Sequence, residues 1–177
     1  MSNIFLCSDH HYNHAAILTF VNSDGSQVRK FSCVEEMNAA IIDRHNSVVQ
    51  TTDKVYFLGD LTMGSNAKAL EFLGRMNGKK VLIKGNHDLN TASQYLKYFK
   101  DIRGSHQLDR YILTHVPIHS DSLSRWTANI HGHLHCNQVQ LNGKVDPRYF
   151  NVSMERINFT PIALEDVVLQ IKNRLEA

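Results

Sequence analysis

The first half of the chain repeats one pattern three times: a short apolar run, a few polar residues, and a segment with helical spacing. The apolar runs cover residues 4–8, 54–58 and 79–84, and their length is typical of buried strands. Strands that alternate with helices form parallel sheets, so the repeat predicts an α/β fold with ligand groups beyond the carboxyl ends of the strands. Because no linker divides the 177 residues, we expect a single domain over residues 1–177.

Apolar spacing also predicts the helices and the strands of the second half. A capping box of Ser32 and Glu35 is expected to begin the first helix. Further helices are predicted at 67–76, 91–99 and, after Pro161, 164–175. Four segments are typical of strands in a β-meander, the last with an Asn-Gly turn: 102–108, 111–115, 128–135 and 138–145.

The composition argues against several functional classes. The chain has 19 Lys and Arg against 17 Asp and Glu, and a net charge of +2 does not indicate a stable nucleic-acid partner. No run approaches the ~18 apolar residues that span a bilayer, and residues 1–9 lack the basic region of a signal peptide. The 3 cysteines, an odd number, fit a reducing compartment. We therefore expect a cytoplasmic protein that does not associate with membranes.

Polar side chains follow the predicted strands, and they include carboxylates, imidazoles and one amide. Consecutive strands of such a sheet bring their carboxyl ends to one edge, so these side chains should converge. Extended backbone would place Asp9 and His11 on a common face, as it would His131, His133 and His135. The polar side chains at these strand ends belong to Asp9, His10, His11, Asp60, Asn86, His87, Asp88, His115, His131, His133 and His135.

This set of side chains indicates a metal site. Oxygen and nitrogen ligands without thiolate suit Mn²⁺, Fe, Zn²⁺, Co²⁺ or Ni²⁺ better than Ca²⁺. Two carboxylates, one amide and at least four imidazoles exceed the needs of one tetrahedral ion, so the sequence predicts two metals with a bridging carboxylate. Taken singly, Asp9 and Asp60 would also suit helix N-caps after strands.

Other residues have two interpretations each. His131 could orient a metal ligand or belong to the core, and His14 could face the substrate or lie on a surface helix. Arg125 and Trp126 are candidates to clamp a phosphate and stack on a base, and the alternative is a surface arginine and a core tryptophan.

Taken in order, the strand-end motifs resemble those of the calcineurin-like metallophosphoesterases. They are Asp-x-His at 9–11, Gly-Asp at 59–60, Gly-Asn-His-Asp at 85–88, a single histidine at 115 and Gly-His-x-His at 132–135. The resemblance runs from residue 4 to residue 135. Residues 115–117, Trp126 and the tail after residue 151 are also similar to the small single-domain branch of phosphoesterases predicted from sequence.

The resemblance implies a four-layered α/β/β/α sandwich with a dinuclear site at the strand ends, for which Mn²⁺ is the first expectation. A bridging hydroxide would attack the phosphorus, and His87 would protonate the leaving oxygen or stabilise the transition state. By motif position, one metal would be held by Asp9, His11, Asp60 and His135, and the other by Asp60, Asn86, His115 and His133.

Differences between this sequence and the motifs of the wider superfamily reduce the number of candidate functions. Residues 61–64 read Leu-Thr-Met-Gly where protein phosphatases and dinucleoside tetraphosphatases carry Asp-Arg-Gly, which argues against a protein phosphatase. Our leading hypothesis is a metal-dependent phosphodiesterase whose partner is a small nucleotide-type phosphate ester. The alternatives are a nucleotide phosphomonoesterase and a metal- or phosphate-binding module without turnover.

Overall fold

The computed structural model describes residues 2–176 and contains two β-sheets that pack face to face. The sheets are flanked by α-helices and by 3-10 helices at Ala15–Thr19, Lys68–Arg75 and Ser120–Arg125. In chain order the strands and α-helices are β1 (Ile4–Cys7), α1 (Val34–Val48), β2 (Lys54–Phe57), β3 (Lys79–Ile83), α2 (Ala92–Tyr95), β4 (Asp101–Arg103), β5 (His106–Leu108), β6 (Tyr111–Leu113), β7 (Ala128–His131), β8 (Gln140–Leu141), β9 (Lys144–Val145), β10 (Tyr149–Asn151), β11 (Ile162–Ala163) and α3 (Leu164–Glu176).

Sheet 1 has the strand order β11-β1-β2-β3-β4, in which β1 to β4 run parallel and β11 is an antiparallel edge strand. The parallel strands are in register at their carboxyl ends, because Cys7 pairs with Phe57 and Phe57 with Leu82. The polar residues that follow these strands therefore leave the sheet at the same edge, as the sequence predicts.

Sheet 2 has the order β10-β7-β6-β5 and differs from the predicted meander. Only β5 and β6 pair antiparallel, whereas β6 with β7 and β7 with β10 pair parallel. The predicted strand 102–108 is divided, since β4 joins sheet 1 and β5 joins sheet 2. The predicted Asn142-Gly143 turn is present with positive φ at both residues, and it joins β8 and β9 in a separate hairpin.

Alternating side chains of the strands form apolar clusters on the two faces of each sheet. Phe57 and Leu82 of sheet 1 pack with Met37 and Ile41 of α1. A second cluster joins the facing sides of the two sheets and includes Val167 and Ile171 of α3. A third, smaller cluster covers the outer face of sheet 2 with Leu123 from a 3-10 helix. The predicted α/β sandwich is thus confirmed, with a 3-10 helix as its outer layer over sheet 2.

Several helix boundaries differ from those predicted. Cys33, not Ser32, is the N-cap of α1, and the Ser32 hydroxyl and amide donate to Glu36 rather than Glu35. Helix α2 covers four residues of the predicted 91–99, and its capping box is formed by Thr91 and Gln94. The segment 68–75 is a 3-10 helix. Within residues 2–176, no helix combines the length and the apolar character that crossing a bilayer requires.

Candidate metal centre

Backbone hydrogen bonds hold the loops after the strands against one another. The amide of Asp9 donates to the carbonyl of Gly59 at 2.9 Å, and that of His11 donates to the carbonyl of Asp60 at 3.1 Å. On the side of sheet 2, the amide of Gly132 donates to the carbonyl of His115 at 3.0 Å. Loops that are far apart in the sequence thus form one polar surface at the carboxyl edge of the sheets.

Two groups of candidate metal ligands lie on this polar surface. In each group the ligand atoms lie within 4.8 Å of one another: Asp9, His11 and His135 in the first, and Asp60, His115 and His133 in the second. Oδ2 of Asp60 lies 3.9 Å from Nε2 of His11 and 3.3 Å from Nε2 of His115. One oxygen of Asp60 therefore lies between the two groups, where a carboxylate could bridge two cations.

The donor atoms of the first group fit a divalent cation. Oδ1 of Asp9 and Nε2 of His11 are buried and have no hydrogen-bond partner. They are 4.0 Å apart, and Nε2 of His135 lies 3.9 Å from the same Asp9 oxygen. Buried polar atoms without partners are costly, and a cation among these atoms would satisfy them together. Two groups of carboxylate and imidazole donors indicate a dinuclear divalent metal site.

The candidate ligands reach these positions through left-handed backbone and not through extended strands. Asp9 has φ 60° and His11 φ 52°, so the predicted alternation along an extended segment is wrong. Likewise β7 ends at His131, and His133 and His135 follow in a loop with φ 70° and 49°. Such a conformation costs a side-chain-bearing residue of order 1–3 kcal/mol, which the surrounding hydrogen bonds must offset.

The carboxylate of Asp88 supplies part of that support. Its Oδ2 accepts hydrogen bonds from the amides of Asp60 and Gly85, and its Oδ1 accepts one from the amide of Leu61, all at 2.9 Å. Gly85 is needed in this contact because a Cβ there would overlap Oδ1 of Asp60. Asp88 therefore fixes the Asp60 loop against the loop that carries Asn86 and His87.

A second support, which the sequence reasoning missed, is the buried side chain of Arg29. Its guanidinium donates to the carbonyls of His10 at 2.8 Å and Asp9 at 2.5 Å, and to Oε1 of Glu155 at 2.7 Å. The same carboxylate oxygen accepts a hydrogen bond from Nδ1 of His135 at 3.0 Å. Arg29 and Glu155 thus hold two candidate ligands of the first group, Asp9 and His135, and no motif or spacing in the sequence connects Arg29 with Glu155.

Further hydrogen bonds orient the candidate ligands Asp9 and His115. Oδ2 of Asp9 accepts from the hydroxyl of Ser153 and from the amide of His133, each at 2.9 Å. Nδ1 of His115 lies 2.7 Å from the carbonyl of Leu58, to which it can donate, so Nε2 faces Asp60. A histidine that donates one ring nitrogen in this way keeps the other free for a metal.

Burial shifts the pKa values of two members of the first group, His11 and Asp9. It lowers the pKa of His11 to about 3, and the nearby positive charges of Arg29 and His135 add to the effect. Burial raises the pKa of Asp9 although His115 and His135 oppose it. His11 is consequently neutral at pH 7, which is the form that binds metal ions.

The structure brings three further predicted residues to this edge. The amide of His87 donates to Oδ1 of Asp60 at 2.9 Å, and its partly exposed ring lies 5.8 Å from the ring of His11 between centroids. Oδ1 of Asn86 lies 2.9 Å from Nε2 of His115. The half-buried ring of His14 lies 5.7 Å from the ring of His11.

Three other residues lie elsewhere. His131 is buried in β7 with Nδ1 2.8 Å from the carbonyl of Gly132, and it belongs to neither ligand group. Trp126 packs in the apolar cluster on the outer face of sheet 2, and Arg125 is exposed at the end of a 3-10 helix. Among the described residues, the contacts of the ligand groups do not include Arg125 or Trp126, so the alternative of a packed tryptophan and a surface arginine fits the structure.

Comparison with known proteins agrees with this arrangement. The family model of the calcineurin-like phosphoesterases matches residues 2–159. The uncharacterized protein MJ1445 of Methanocaldococcus jannaschii is 39% identical over 176 residues, which cover 97% of this chain and 93% of that protein. The gene 66 protein of Mycobacterium phage L5 is 35% identical over 91 residues, which cover 50% of this chain and 41% of the phage protein.

The fold also has a relative among solved structures. The protein of unknown function AQ665 from Aquifex aeolicus superposes with a TM-score of 0.71 at 22% identity, covering 96% of this chain and 99% of that one. This likeness concerns the fold, whereas the family model matches the sequence over the whole set of strand-end motifs. The chain therefore belongs to the calcineurin-like phosphoesterases and is a metal-dependent hydrolase of phosphoric esters.

Proposed function

We propose that this protein hydrolyses a small nucleotide-type phosphodiester with the help of two divalent transition-metal ions. The observation that carries the proposal is the position of Asp60, whose Oδ2 lies within 3.9 Å of imidazole nitrogens from both ligand groups. A carboxylate that lies between two groups of carboxylate and imidazole donors is the arrangement that a two-cation phosphoesterase requires.

We assign the ligands of each cation from the two groups, with Asp60 shared by both cations and Asn86 added to the second. Two bound cations would neutralise the phosphate oxygens and activate a water for in-line attack on phosphorus. The first cation would be held by Asp9, His11, Asp60 and His135, and the second by Asp60, Asn86, His115 and His133. Mn²⁺ is our first expectation for both, with Ni²⁺, Fe, Co²⁺ and Zn²⁺ as alternatives that the same donors accept.

His87 is proposed as the residue that protonates the leaving oxygen. Its backbone amide is tied to Oδ1 of Asp60, so the residue is fixed relative to the proposed bridging carboxylate. Its ring is partly exposed beside that of His11, which leaves it accessible to a substrate bound over the ligand groups. A positioned imidazole is a suitable general acid.

The preference for a diester is supported by open space on two sides of the ligand groups. A cavity of about 420 Å³ is lined in part by His135, and one of about 370 Å³ is lined by Asn86, His115 and Lys84. A phosphodiester carries a substituent on each side of phosphorus, so its two substituents could extend into the two cavities. A monoester would use only one of them.

The experiment that tests the proposal compares a diester with a monoester. Metal-stripped protein is supplied in turn with Mn²⁺, Ni²⁺, Co²⁺, Zn²⁺ and Mg²⁺, and the hydrolysis of bis-p-nitrophenyl phosphate and p-nitrophenyl phosphate is measured. We expect faster turnover of the diester that depends on a transition metal and is lost in Asp60→Asn. Faster turnover of the monoester would instead indicate a nucleotide phosphomonoesterase. Two bound metals without turnover of either ester would favour a binding module.

A further inference from the structure

We propose that the cavity beside His135 is the binding site for an aromatic heterocycle, such as a nucleobase, carried by the substrate. The inference rests on the proposed function, because it names which part of the ester occupies one of the two cavities. It assigns Phe20 as the residue on which the heterocycle stacks. The proposed occupant of the cavity is a planar aromatic group that is attached to the scissile phosphate.

The cavity adjoins the candidate metal centre at His135. It lies between residues 17–28 and residues 135–137, and it has a volume of about 420 Å³. His135 lines it and also lies 3.9 Å, from its Nε2, from Oδ1 of Asp9 in the first ligand group. Ligand pockets commonly measure about 300–1,000 Å³, so a nucleobase has room here while its phosphate lies over the ligands.

A row of aromatic rings leads from the ligands into the cavity. The ring of His14 lies 5.7 Å from that of His11, and the ring of Phe20 lies 5.9 Å from that of His14 at an interplanar angle of 80°. Phe20 lines the cavity, and 48% of its surface is exposed to solvent. Such exposure of apolar surface is unfavourable for an aromatic side chain. A base stacked on Phe20 would cover that surface.

Backbone hydrogen bonds preform the wall that carries Phe20. The amide of Val28 donates to the carbonyl of Phe20 at 2.9 Å, and the amide of Asn22 donates to the carbonyl of Ser26 at 2.8 Å. The side chain of Asn22 adds a hydrogen bond of 3.0 Å to the hydroxyl of Ser26. A wall held in this way does not need to be ordered by the ligand, which lowers the entropic cost of binding.

The rest of the lining suits a heterocycle better than an aliphatic chain. Ile17 and Val28 provide apolar contact, and the amide side chains of Asn22 and Asn137 provide hydrogen-bond donors and acceptors. An aromatic face together with a few amide groups is the combination that recognises the face and the edge of a base.

The test measures binding of two probes that differ only in the base. Adenosine 5′-monophosphate and ribose 5-phosphate are titrated by calorimetry into the Mn²⁺-loaded protein, into Phe20→Ala and into Phe20→Trp. The matched control is Leu169→Ala, which removes an apolar side chain of comparable exposure (57%) on α3, away from the cavity. Calorimetry reports binding without requiring turnover.

We expect the wild-type protein to bind the nucleotide about tenfold more tightly than ribose 5-phosphate, in line with the usual strength of base–aromatic stacking. Phe20→Ala should remove this preference without changing the affinity for ribose 5-phosphate. Phe20→Trp should retain it, and Leu169→Ala should have no effect. An unchanged preference in Phe20→Ala would overturn the inference, even if the protein hydrolyses diesters. A preference that depends on Phe20 in a protein without turnover would instead uphold the base site and refute the proposed function.

Discussion

The Nε of Arg29 lies 2.7 Å from Oε1 of Glu155, and 126 residues separate this pair in the sequence. Both side chains are buried, with exposures of 0% and 2%. Burial raises the pKa of Glu155, but the hydrogen bond from His135 and the charge of Arg29 outweigh it and lower the pKa to about 2. The carboxylate is therefore charged across the physiological range and can hold His135.

Removal of both members of this pair should cost less stability than the sum of the two single removals. Arg29→Met leaves the Glu155 carboxylate buried without its cation, and we expect a loss of roughly 3–5 kcal/mol in the free energy of unfolding. The double variant Arg29→Met/Glu155→Gln should lose less than the sum of the two single variants. Urea unfolding of the four proteins measures the coupling energy. Additive losses would show that the ion pair does not act as a unit.

Asp60→Asn should lower both metal content and turnover. The amide cannot supply the negative charge that two cations share, so we expect a decrease from about two bound ions per chain to one or fewer. Metal analysis after dialysis measures the content, and bis-p-nitrophenyl phosphate measures turnover. Asp43→Asn, at an exposed position of α1, is the matched control and should leave both unchanged.

His87→Ala should separate catalysis from metal binding. Because His87 is not among the assigned ligands, metal content should stay the same while kcat falls by roughly 10²–10⁴-fold. The exposed His119, with 76% of its side chain accessible, provides a control in His119→Ala. Full activity of His87→Ala would remove the residue from the proton-transfer role that we propose.

Gly85→Ala should displace Asp60 and weaken metal binding. A Cβ at Gly85 would lie 2.5 Å from the amide nitrogen of Asp60 and closer still to its Oδ1. We expect metal affinity to fall by roughly 10–100-fold, as when a supporting partner of a ligand is lost. Gly104→Ala is the natural comparison, because a Cβ at Gly104 has no neighbour within 4 Å. Equal affinities in titrations of the two variants would refute the steric argument.

His45 should make stability decrease in acid. Burial lowers its pKa to about 4 from an ordinary 6.5, and the opposing hydrogen bond with the carbonyl of Asn77 does not compensate. Between these values the unfolded chain binds a proton that the folded chain excludes, so stability is lost as pH falls from 6.5 towards 4. For this residue the loss from pH 7 to pH 5 is about 2 kcal/mol.

The measurement compares urea unfolding of the metal-free wild-type protein and His45→Gln at the two pH values. Glutamine keeps an N–H donor for the Asn77 carbonyl, which lies 3.0 Å from Nε2 of His45, but it does not titrate. We expect the variant to lose about 2 kcal/mol less than the wild type over this interval. Equal losses in both proteins would assign the acid sensitivity to other groups.

The sequence by itself determined the features that depend on neighbouring residues. The apolar runs of β1, β2 and β3 and the helical spacing of α3 are local patterns, and the structure has these elements within two residues of their predicted bounds. The edge at which the polar motifs converge can also be predicted from these local patterns, because each motif directly follows a strand and parallel strands in register end at the same edge of the sheet.

Only the tertiary structure decided how the side chains reach one another. The left-handed backbone at Asp9 and His133 is imposed by hydrogen bonds to loops from other parts of the chain, against the local preference of these residues. The division of residues 102–108 between two sheets and the burial of Arg29 against Glu155 depend in the same way on distant partners. The spacing of residues along the chain reflects the conformational preferences of neighbouring residues. Contacts between distant segments form only when the sheets pack and exclude water.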